Sequence, residues 1–151
     1  MRTVGEMCRQ DVIVATGDAT VADAAKLMRH HHVGSVVVVR PMNGGLDVPV
    51  GIVTDRDIVV DIVATDLDAN VITVGDIMPG ELVTVRGDQS LLEAVQLMRV
   101  KGVRRLPVVT EDRQLVGLVA LDDLLEALTE PLVDLSKVFT REQSREAAHR
   151  K

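Results

Sequence analysis

The stretch Val50-Gly51-Ile52-Val53-Thr54-Asp55-Arg56-Asp57 joins an apolar run to a polar end. The run is typical of a buried strand, and the polar residues are typical of the start of a helix. The same pattern returns as Val116-Gly117-Leu118-Val119-Ala120-Leu121-Asp122-Asp123. Ligand-binding groups of α/β proteins gather where a buried strand runs into a helix, because side chains and free N–H groups converge there. We therefore predict that the first turn (residues 54–57) and the second turn (residues 120–123) form the functional site.

An internal repeat relates the two halves of the chain. When the sequence is shifted by 70 positions, residues 17–39 align with residues 87–109, and nine of these 23 pairs are identical. About one or two identities would be expected at ordinary composition, so the pattern indicates a duplication. After residue 39 the offset falls to 66, because the glycines of the two quoted stretches then pair. The first repeat therefore carries four extra residues within 41–47, where Asn43-Gly44 indicates a hairpin turn.

Each repeat is predicted to contain strand, helix, strand, strand and helix, with the middle two strands joined as a hairpin. The first strands are followed by Thr20-x-x-Asp23 and Ser90-x-x-Glu93, which have the form of helix capping boxes. Apolar residues then recur at the spacing of a helix with one buried face. The predicted strands are residues 12–15, 36–39 and 50–54 in the first repeat and 82–85, 106–109 and 115–120 in the second, and the final helices are residues 55–64 and 122–128.

The domain organisation follows from this pattern. We assign residues 4–65 to the first repeat, 66–73 to a polar linker, 74–129 to the second repeat and 130–151 to a polar tail. A unit of about 60 residues exposes too much apolar surface to fold alone, so the two repeats are expected to pack against each other. The tail is either helical or disordered, and Thr140-x-x-Gln143 could cap a last helix within it.

Composition narrows the classes of function. The net charge is −6 and the chain has no Trp or Tyr, which argues against a nucleic-acid binder. Cys8 is the single cysteine, so no intramolecular disulfide is expected. No apolar run approaches the ~18 residues of a membrane span, and we expect a cytoplasmic protein without membrane contact. The sequence contains no nucleophile elbow, P-loop or dinucleotide fingerprint, so we expect no enzyme activity.

The duplicated pattern resembles a known family. The stretch Gly51-Ile52-Val53-Thr54-Asp55-Arg56-Asp57 and the run Val103-Arg104-Arg105-Leu106-Pro107-Val108-Val109 are similar to the cystathionine-β-synthase (CBS) domain pair, also called a Bateman module. The resemblance covers about residues 4–128. It implies an α/β (α+β) fold of tandem CBS repeats, packed through their sheets with pseudo-two-fold symmetry, and a homodimer. Residues 58–64 and 124–128 are apolar enough to supply that dimer interface.

For function, the resemblance implies a stand-alone, non-catalytic regulatory module. Such a pair would bind AMP, ADP, ATP or S-adenosylmethionine in the cleft between the repeats and signal occupancy to a regulated protein partner, with no cofactor required. The alternative is a structural module that dimerises or interacts with other proteins and binds no nucleotide.

A ribose-binding pair is implied at the first turn. In the family, a Thr or Ser and an Asp spaced like Thr54 and Asp57 hold the ribose hydroxyls. An ionised carboxylate accepts hydrogen bonds and donates none, so one aspartate can take both ribose O–H groups. The alternative is that Thr54 and Asp57 only cap the helix. The second turn has Asp123 but places Ala120 where the first has Thr54, so we predict that Asp57 contributes more to binding than Asp123.

A phosphate-binding pair is implied in the second repeat. Arg104 and Arg105 resemble the family's basic positions, and a guanidinium matches two phosphate oxygens at once. A solvated strand edge is the alternative for both. Their counterparts in the first repeat are Gly34 and Ser35, so the ribose pair is complete in one half and the phosphate pair in the other.

Other candidate ligand residues flank these pairs. Arg56 could reach a phosphate or balance its acidic neighbours, and Val33 and Val103 would flank the adenine or belong to the core. His30-His31-His32 cannot converge on one ion, because successive side chains point about 100° apart on a helix, so we expect no metal site. The full set of candidate ligand residues is Val33, Ser35, Thr54, Arg56, Asp57, Val103, Arg104, Arg105 and Asp123.

Overall fold

The structure, a computed structural model, describes residues 2–150. The first half contains α1 (Val4–Met7), β1 (Val14–Thr16), α2 (Val21–His31), β2 (Ser35–Arg40), β3 (Val48–Thr54) and α3 (Asp55–Ile58), which continues as a π-helical turn (Val59–Val63). The second half contains α4 (Val74–Ile77), β4 (Val85–Arg86), α5 (Leu91–Lys101), β5 (Arg105–Val109), β6 (Leu115–Ala120) and α6 (Leu121–His149). The predicted order of elements is confirmed, with α1 and α4 as additional short helices.

Two three-stranded sheets form the centre of the fold, in the orders β1-β2-β3 and β4-β5-β6. In each sheet the first pair of strands is parallel and the second pair is antiparallel. Both antiparallel pairs shift register at the same place, between Val38 and Val39 in β2 and between Val108 and Val109 in β5. The two halves therefore share backbone geometry as well as sequence, as expected for tandem α/β repeats.

The first strand of each repeat differs from its predicted range. β1 begins at Val14 and β4 at Val85, whereas the sequence predicted residues 12–15 and 82–85. β-branched residues indicate an extended, half-buried chain, and they do not show where that chain meets a partner strand. Pairing with β2 and β5 begins only at these later residues.

Side-chain caps define the ends of α2 and α5. Thr20 Oγ1 accepts the Asp23 N–H at 3.1 Å, and Ser90 Oγ accepts the Glu93 N–H at 3.2 Å, as predicted. The Glu93 carboxylate accepts the Ser90 N–H in return, and this hydrogen bond lowers the pKa of the Glu93 carboxyl. At the other end, α2 is followed by His32 in the left-handed region, with a φ of 55°. His32 therefore occupies the C-cap position of the helix.

The extra residues of the first repeat lie in a hairpin loop, as predicted. Residues 41–47 connect the antiparallel strands β2 and β3. Gly44 has a φ of 72°, a left-handed conformation that glycine adopts at little cost in a tight turn.

Each repeat places its N-terminal segment in the core of the other. Val4 of α1 is fully buried among second-repeat residues that include Leu91 and Leu106. Val74 of α4 is fully buried among first-repeat residues that include Val53. We call residues 4–9 and 74–79 the exchanged segments. Each hydrophobic core is thus completed by a segment that begins the opposite repeat.

Backbone contacts hold the exchanged segments in place. Gly5 N donates to Gly87 O at 2.8 Å, and Gly75 N donates to Gly17 O at 3.0 Å. A Cβ atom at Gly5 would lie 2.9 Å from Gly87 O, and one at Gly75 would lie 2.7 Å from Gly17 O. The segments therefore approach the opposite repeat more closely than a residue with a side chain would allow.

The last helix is longer than the sequence predicted. A helix ending near residue 128 and a separate cap at Thr140 were expected, because proline interrupts helices, but α6 runs without a break from Leu121 to His149 with Pro131 inside it. Pro131 lacks one backbone N–H donor, and helical geometry continues on both sides of it. Residues 129–150 are all exposed. Among residues 2–150, no helix has the length and apolarity to cross a membrane.

Candidate ligand-binding cleft

A cavity of about 240 Å³ lies between the two repeats, at the end of β6. Its walls combine apolar surface with charges of both signs, and they come from both halves of the chain. The lining residues are Arg9, Asp11, Val12, Ile13, His32, Val33, Gly34 and Ser35 from the first half, and Arg105, Leu118, Ala120, Asp122 and Asp123 from the second. A molecule in this cavity would therefore touch both repeats at once.

The second turn forms one wall of the cavity. The Asp123 carboxylate accepts the Ala120 N–H at 2.9 Å and so caps the start of α6. It also accepts a hydrogen bond from Arg9 Nε at 3.2 Å, and a second guanidinium nitrogen of Arg9 lies 3.1 Å away. The Asp123 side chain is only 12% exposed, whereas that of Arg9 is 68% exposed. The aspartate is thus fixed in the wall, and the arginine covers it from the solvent side.

Arg9 reaches the second turn because it belongs to an exchanged segment. Arg9 N donates to Leu118 O at 2.9 Å and Leu118 N donates to Arg9 O at 2.8 Å, which fixes the arginine beside β6. Sequence reasoning missed Arg9. The shift of 70 positions pairs Arg9 with Pro79, so no repeated basic residue drew attention to it.

Cys8, next to Arg9, packs against the second core and is absent from the lining of the cavity. Burial raises the pKa of the Cys8 thiol, and the negative charge of Asp123 adds to this shift. The thiol is therefore protonated at neutral pH, which makes it a poor nucleophile. Cys8 contributes to packing against Gly117, and the geometry gives no reason to assign it a reaction.

The first turn uses its polar residues for a helix cap. Thr54 Oγ1 accepts the Asp57 N–H at 3.2 Å, and Asp57 Oδ2 accepts the Thr54 N–H at 2.8 Å. This reciprocal pair is the capping arrangement that the sequence left open as an alternative. Thr54 and Asp57 are absent from the lining of the 240 Å³ cavity.

The structure brings together part of the predicted set of ligand residues. Val33, Ser35, Arg105 and Asp123 line the cavity. Arg105 also lies beside Gly34, where a Cβ atom would be 3.2 Å from its guanidinium. A basic residue and an acidic residue of the second repeat therefore share one cavity with Val33 and Ser35 of the first repeat.

The other predicted residues lie outside this cavity. Arg104 is exposed, and its carbonyl accepts the Leu121 N–H at 2.8 Å at the start of α6. Val103 packs on the second core, and Arg56 is exposed in α3. His30 and His31 are exposed in the last turn of α2. Within residues 2–150, no group of three or more acidic, His or Cys side chains is arranged to hold a metal ion.

Comparison with known proteins identifies the family. The sequence profile of the CBS domain matches residues 4–64 and residues 74–130. The chain therefore belongs to the CBS domain family and contains two copies of the domain, as the resemblance of its motifs implied.

Two curated relatives show the extent of the similarity. An uncharacterized protein of Methanopyrus kandleri, MK0525, is 40% identical over 124 residues, which cover 82% of this chain and 61% of the relative. The CBS domain-containing mitochondrial protein CBSX3 of Arabidopsis thaliana is 35% identical over 130 residues, covering 85% of this chain and 62% of the relative. The matched part thus spans about three fifths of the length of these two relatives.

Solved structures share the fold. A hexameric CBS-CP12 protein from bloom-forming cyanobacteria matches with a TM-score of 0.71 and 30% identity, covering 83% of this chain and 70% of that one. The CBS domain pair of protein MJ0100, solved in complex with 5'-methylthioadenosine and S-adenosyl-L-methionine, matches with a TM-score of 0.74 and 23% identity, covering 87% and 98%. At 23% identity, the match to the MJ0100 domain pair shows a shared fold only.

Proposed function

We propose that this CBS pair is a non-catalytic regulatory module that binds an adenosine-containing ligand in the cavity beside the second turn. The observation that carries the proposal is the set of groups around that cavity. Three carboxylates, two guanidinium groups and apolar side chains from both repeats line one space of about 240 Å³. AMP, ADP, ATP and S-adenosylmethionine are the ligands proposed, since they share the adenosine moiety.

Each part of such a ligand has a matching group. The Asp123 carboxylate accepts hydrogen bonds only, so it can take the ribose hydroxyls as donors. Arg105 and Arg9 can each offer two N–H donors to phosphate oxygens. Val33 and Ile13 supply apolar surface for the adenine. The MJ0100 complex supports this ligand class at the level of the fold, because a CBS pair of the same fold accepts adenosine compounds.

The remaining candidate residues belong to a second proposed site at the first turn. Thr54 and Asp57 would hold a ribose there, with Arg56 and Arg104 near the phosphate and Val103 near the base. Because Thr54 and Asp57 bond to each other and lie away from the cavity, we propose that this site is the weaker of the two.

Signalling would follow from linkage between binding and packing. A ligand that touches both repeats favours the arrangement in which they are closed on each other. At ~100 times its dissociation constant, a ligand stabilises the bound state by about 2.7 kcal/mol. A regulated protein that docks on one arrangement of the repeats would then sense occupancy.

A dimer that binds no nucleotide is the second candidate function. Val59, Val60 and Val63 of the π-helical turn are 57%, 47% and 63% exposed, and Leu125 of α6 is 55% exposed. Four exposed apolar side chains on the final helices of the two repeats favour contact with a second copy. We propose a homodimer through this surface, whether or not a ligand binds.

Two measurements test the ligand proposal. The chain has no Trp or Tyr, so absorbance at 260 nm in purified protein would reveal a bound purine. Calorimetric titration with AMP, ADP, ATP and S-adenosylmethionine should give saturable heat with at least one of them, accompanied by a raised melting temperature. The absence of heat and of any melting shift with all four would leave the dimerisation module as the function.

A further inference from the structure

A stripe of apolar residues runs along the first two thirds of α6. The spacing alternates between four and three residues, which is the period of a coiled-coil seam. The stripe consists of Leu121, Leu125, Leu128, Leu132, Leu135 and Phe139. Because α6 is continuous through Pro131, all six residues lie on one face of a single helix. We call this face the α6 seam.

Within residues 2–150, the outer part of the α6 seam is exposed to solvent. Leu132, Leu135 and Phe139 are 65%, 61% and 70% exposed. Together with Leu125 and Val138, they expose on the order of 600 Å² of apolar surface per chain, so two copies would bury about 1,200 Å², the lower end for specific interfaces. The seam continues beyond residue 130, where the match to the CBS domain ends.

The charges of α6 are divided between its two ends. Residues 121–136 contain five acidic side chains and no Lys or Arg, whereas residues 137–150 contain four Lys or Arg and two Glu. A parallel pair of such helices would place acidic half beside acidic half. An antiparallel pair places each acidic half beside a basic half, and the helix dipoles then also oppose each other favourably.

We propose that α6 pairs with α6 of a second copy as an antiparallel coiled coil. In the register that suits the charges, Leu132 faces Leu135 of the second copy and Leu128 faces Phe139. The same register sets the basic half of each helix level with the acidic half of its partner along the helix axis, so the two halves attract each other as whole segments. Each contact then occurs twice, as a two-fold axis between identical chains requires.

The residues that follow the seam also favour the antiparallel direction. After Phe139, the next seam positions are occupied by Glu142 and Glu146. In a parallel pair each glutamate would face its own copy, which is a repulsive arrangement at the core of a coiled coil. In the antiparallel register Glu142 lies beside Leu125, at the exposed end of the seam.

Disulfide cross-linking between single-cysteine chains tests the proposal without any nucleotide, so its outcome is separate from that of the ligand proposal. Leu128→Cys and Phe139→Cys chains, each in a Cys8→Ser background, are mixed and oxidised. Cross-linked heterodimer is expected, because the two positions face each other. Phe139→Cys chains alone should not cross-link, since their cysteines would lie about 16 Å apart. Leu125→Cys with Glu142→Cys provides a second pair, with both positions exposed.

A matched pair of charge variants provides the control. Leu132→Glu with Leu135→Glu in both chains should reduce cross-linking at least tenfold, whereas Val133→Glu with Ser144→Glu, on the outer face of the same helix, should leave it unchanged. Three results would overturn the proposal: no cross-link in either mixture, efficient cross-linking of Phe139→Cys chains alone, or equal cross-linking in the two charge variants. The first would assign the seam to a different protein partner, and the second to a parallel pair.

Discussion

The two strand-to-helix turns have the same backbone and different chemistry. The residue before each helix has nearly the same conformation, with φ and ψ of −105° and 163° at Thr54 and of −109° and 162° at Ala120. Asp57 and Asp123 accept the N–H of that residue at 2.8 and 2.9 Å. The aspartate is therefore explained at both turns by helix capping alone, so its presence does not identify a binding site.

What distinguishes the turns is the group that the exchanged segment brings. Asp123 meets Arg9 and borders a cavity, whereas the counterpart of Arg9 is Pro79, which carries no charge. The first turn has the hydroxyl of Thr54, which Ala120 lacks in the second turn. The capping residues thus preserve the backbone of the turn, while the exchanged segment determines which charged group lies beside it.

The largest difference between the two turns is expected in stability, when the glycine of the preceding strand, Gly51 or Gly117, is replaced by alanine. A Cβ atom at Gly117 would lie 2.9 Å from Arg9 O and would also overlap Cys8, whereas one at Gly51 would lie 2.5 Å from the Met78 sulfur. Backbone cannot move aside as a methionine side chain can. Gly117→Ala should therefore lower the free energy of unfolding by about 2–3 kcal/mol and Gly51→Ala by about 1 kcal/mol or less, measured by urea denaturation. Equal losses would show that the exchanged segments are equally adaptable.

The next contrast concerns ligand affinity at the two aspartates. Asparagine can still accept the capping hydrogen bond, but it loses the charge that a ribose-binding carboxylate uses. We expect Asp123→Asn to weaken binding of the proposed ligand about tenfold, which is about 1.4 kcal/mol, and Asp57→Asn to weaken it less than about threefold. Calorimetric titration of both variants measures this. A larger loss at Asp57 would return the principal site to the first turn, as the sequence alone predicted.

A smaller effect on binding is expected from replacing Arg9, which the exchanged segment places beside Asp123 of the second turn. Arg9→Gln removes the guanidinium and retains hydrogen-bonding capacity. Affinity for ATP or AMP should fall about threefold to fivefold, the equivalent of about 1 kcal/mol for a partly exposed ionic contact, while affinity for adenosine should change little. Titrations with the nucleotide and the nucleoside separate the two. An equal loss for both would mean that Arg9 positions Asp123 and does not contact phosphate.

The smallest contrast is expected from exchanging the residues that precede the helices. Thr54→Ala removes a side-chain cap and should cost about 1 kcal/mol of stability. Ala120→Thr offers α6 the cap that α3 has and should gain a few tenths of a kcal/mol, because α6 is already anchored by packing. Thermal unfolding of both variants provides the measurement. Loss of stability in Ala120→Thr would indicate that the cavity wall has no room for a hydroxyl.

Local patterns in the sequence predicted much of the fold. The duplication, the order of the elements, the caps at Thr20 and Ser90 and the hairpin insertion all follow from spacing and turn chemistry between near neighbours. The exchanged segments did not, because an apolar residue such as Val4 signals burial without indicating which core it enters. The length of α6 was missed because Pro131 normally interrupts a helix.

The candidate site was predictable only in part, for a related reason. The polar end of each strand located the two turns, and Asp123 and Arg105 were among the residues expected to bind ligand. Arg9 and the choice between the turns depend on packing between residues more than 100 positions apart, such as Arg9 and Asp123. No periodic pattern of apolar and polar residues in the local sequence indicates that contact.

The exchanged segments also bear on how the protein folds. Val4 completes a core whose other buried residues begin at Val85, and Val74 completes a core that begins before residue 30. During synthesis, the first repeat emerges without the segment that closes its core, and it stays open until α4 has been made. The loops that must close span many tens of residues, which slows folding, although doubling a loop adds only about 0.6 kcal/mol. The cooperative folding unit is therefore the pair of repeats. A gene divided between the two repeats would yield two halves, each with an incomplete hydrophobic core.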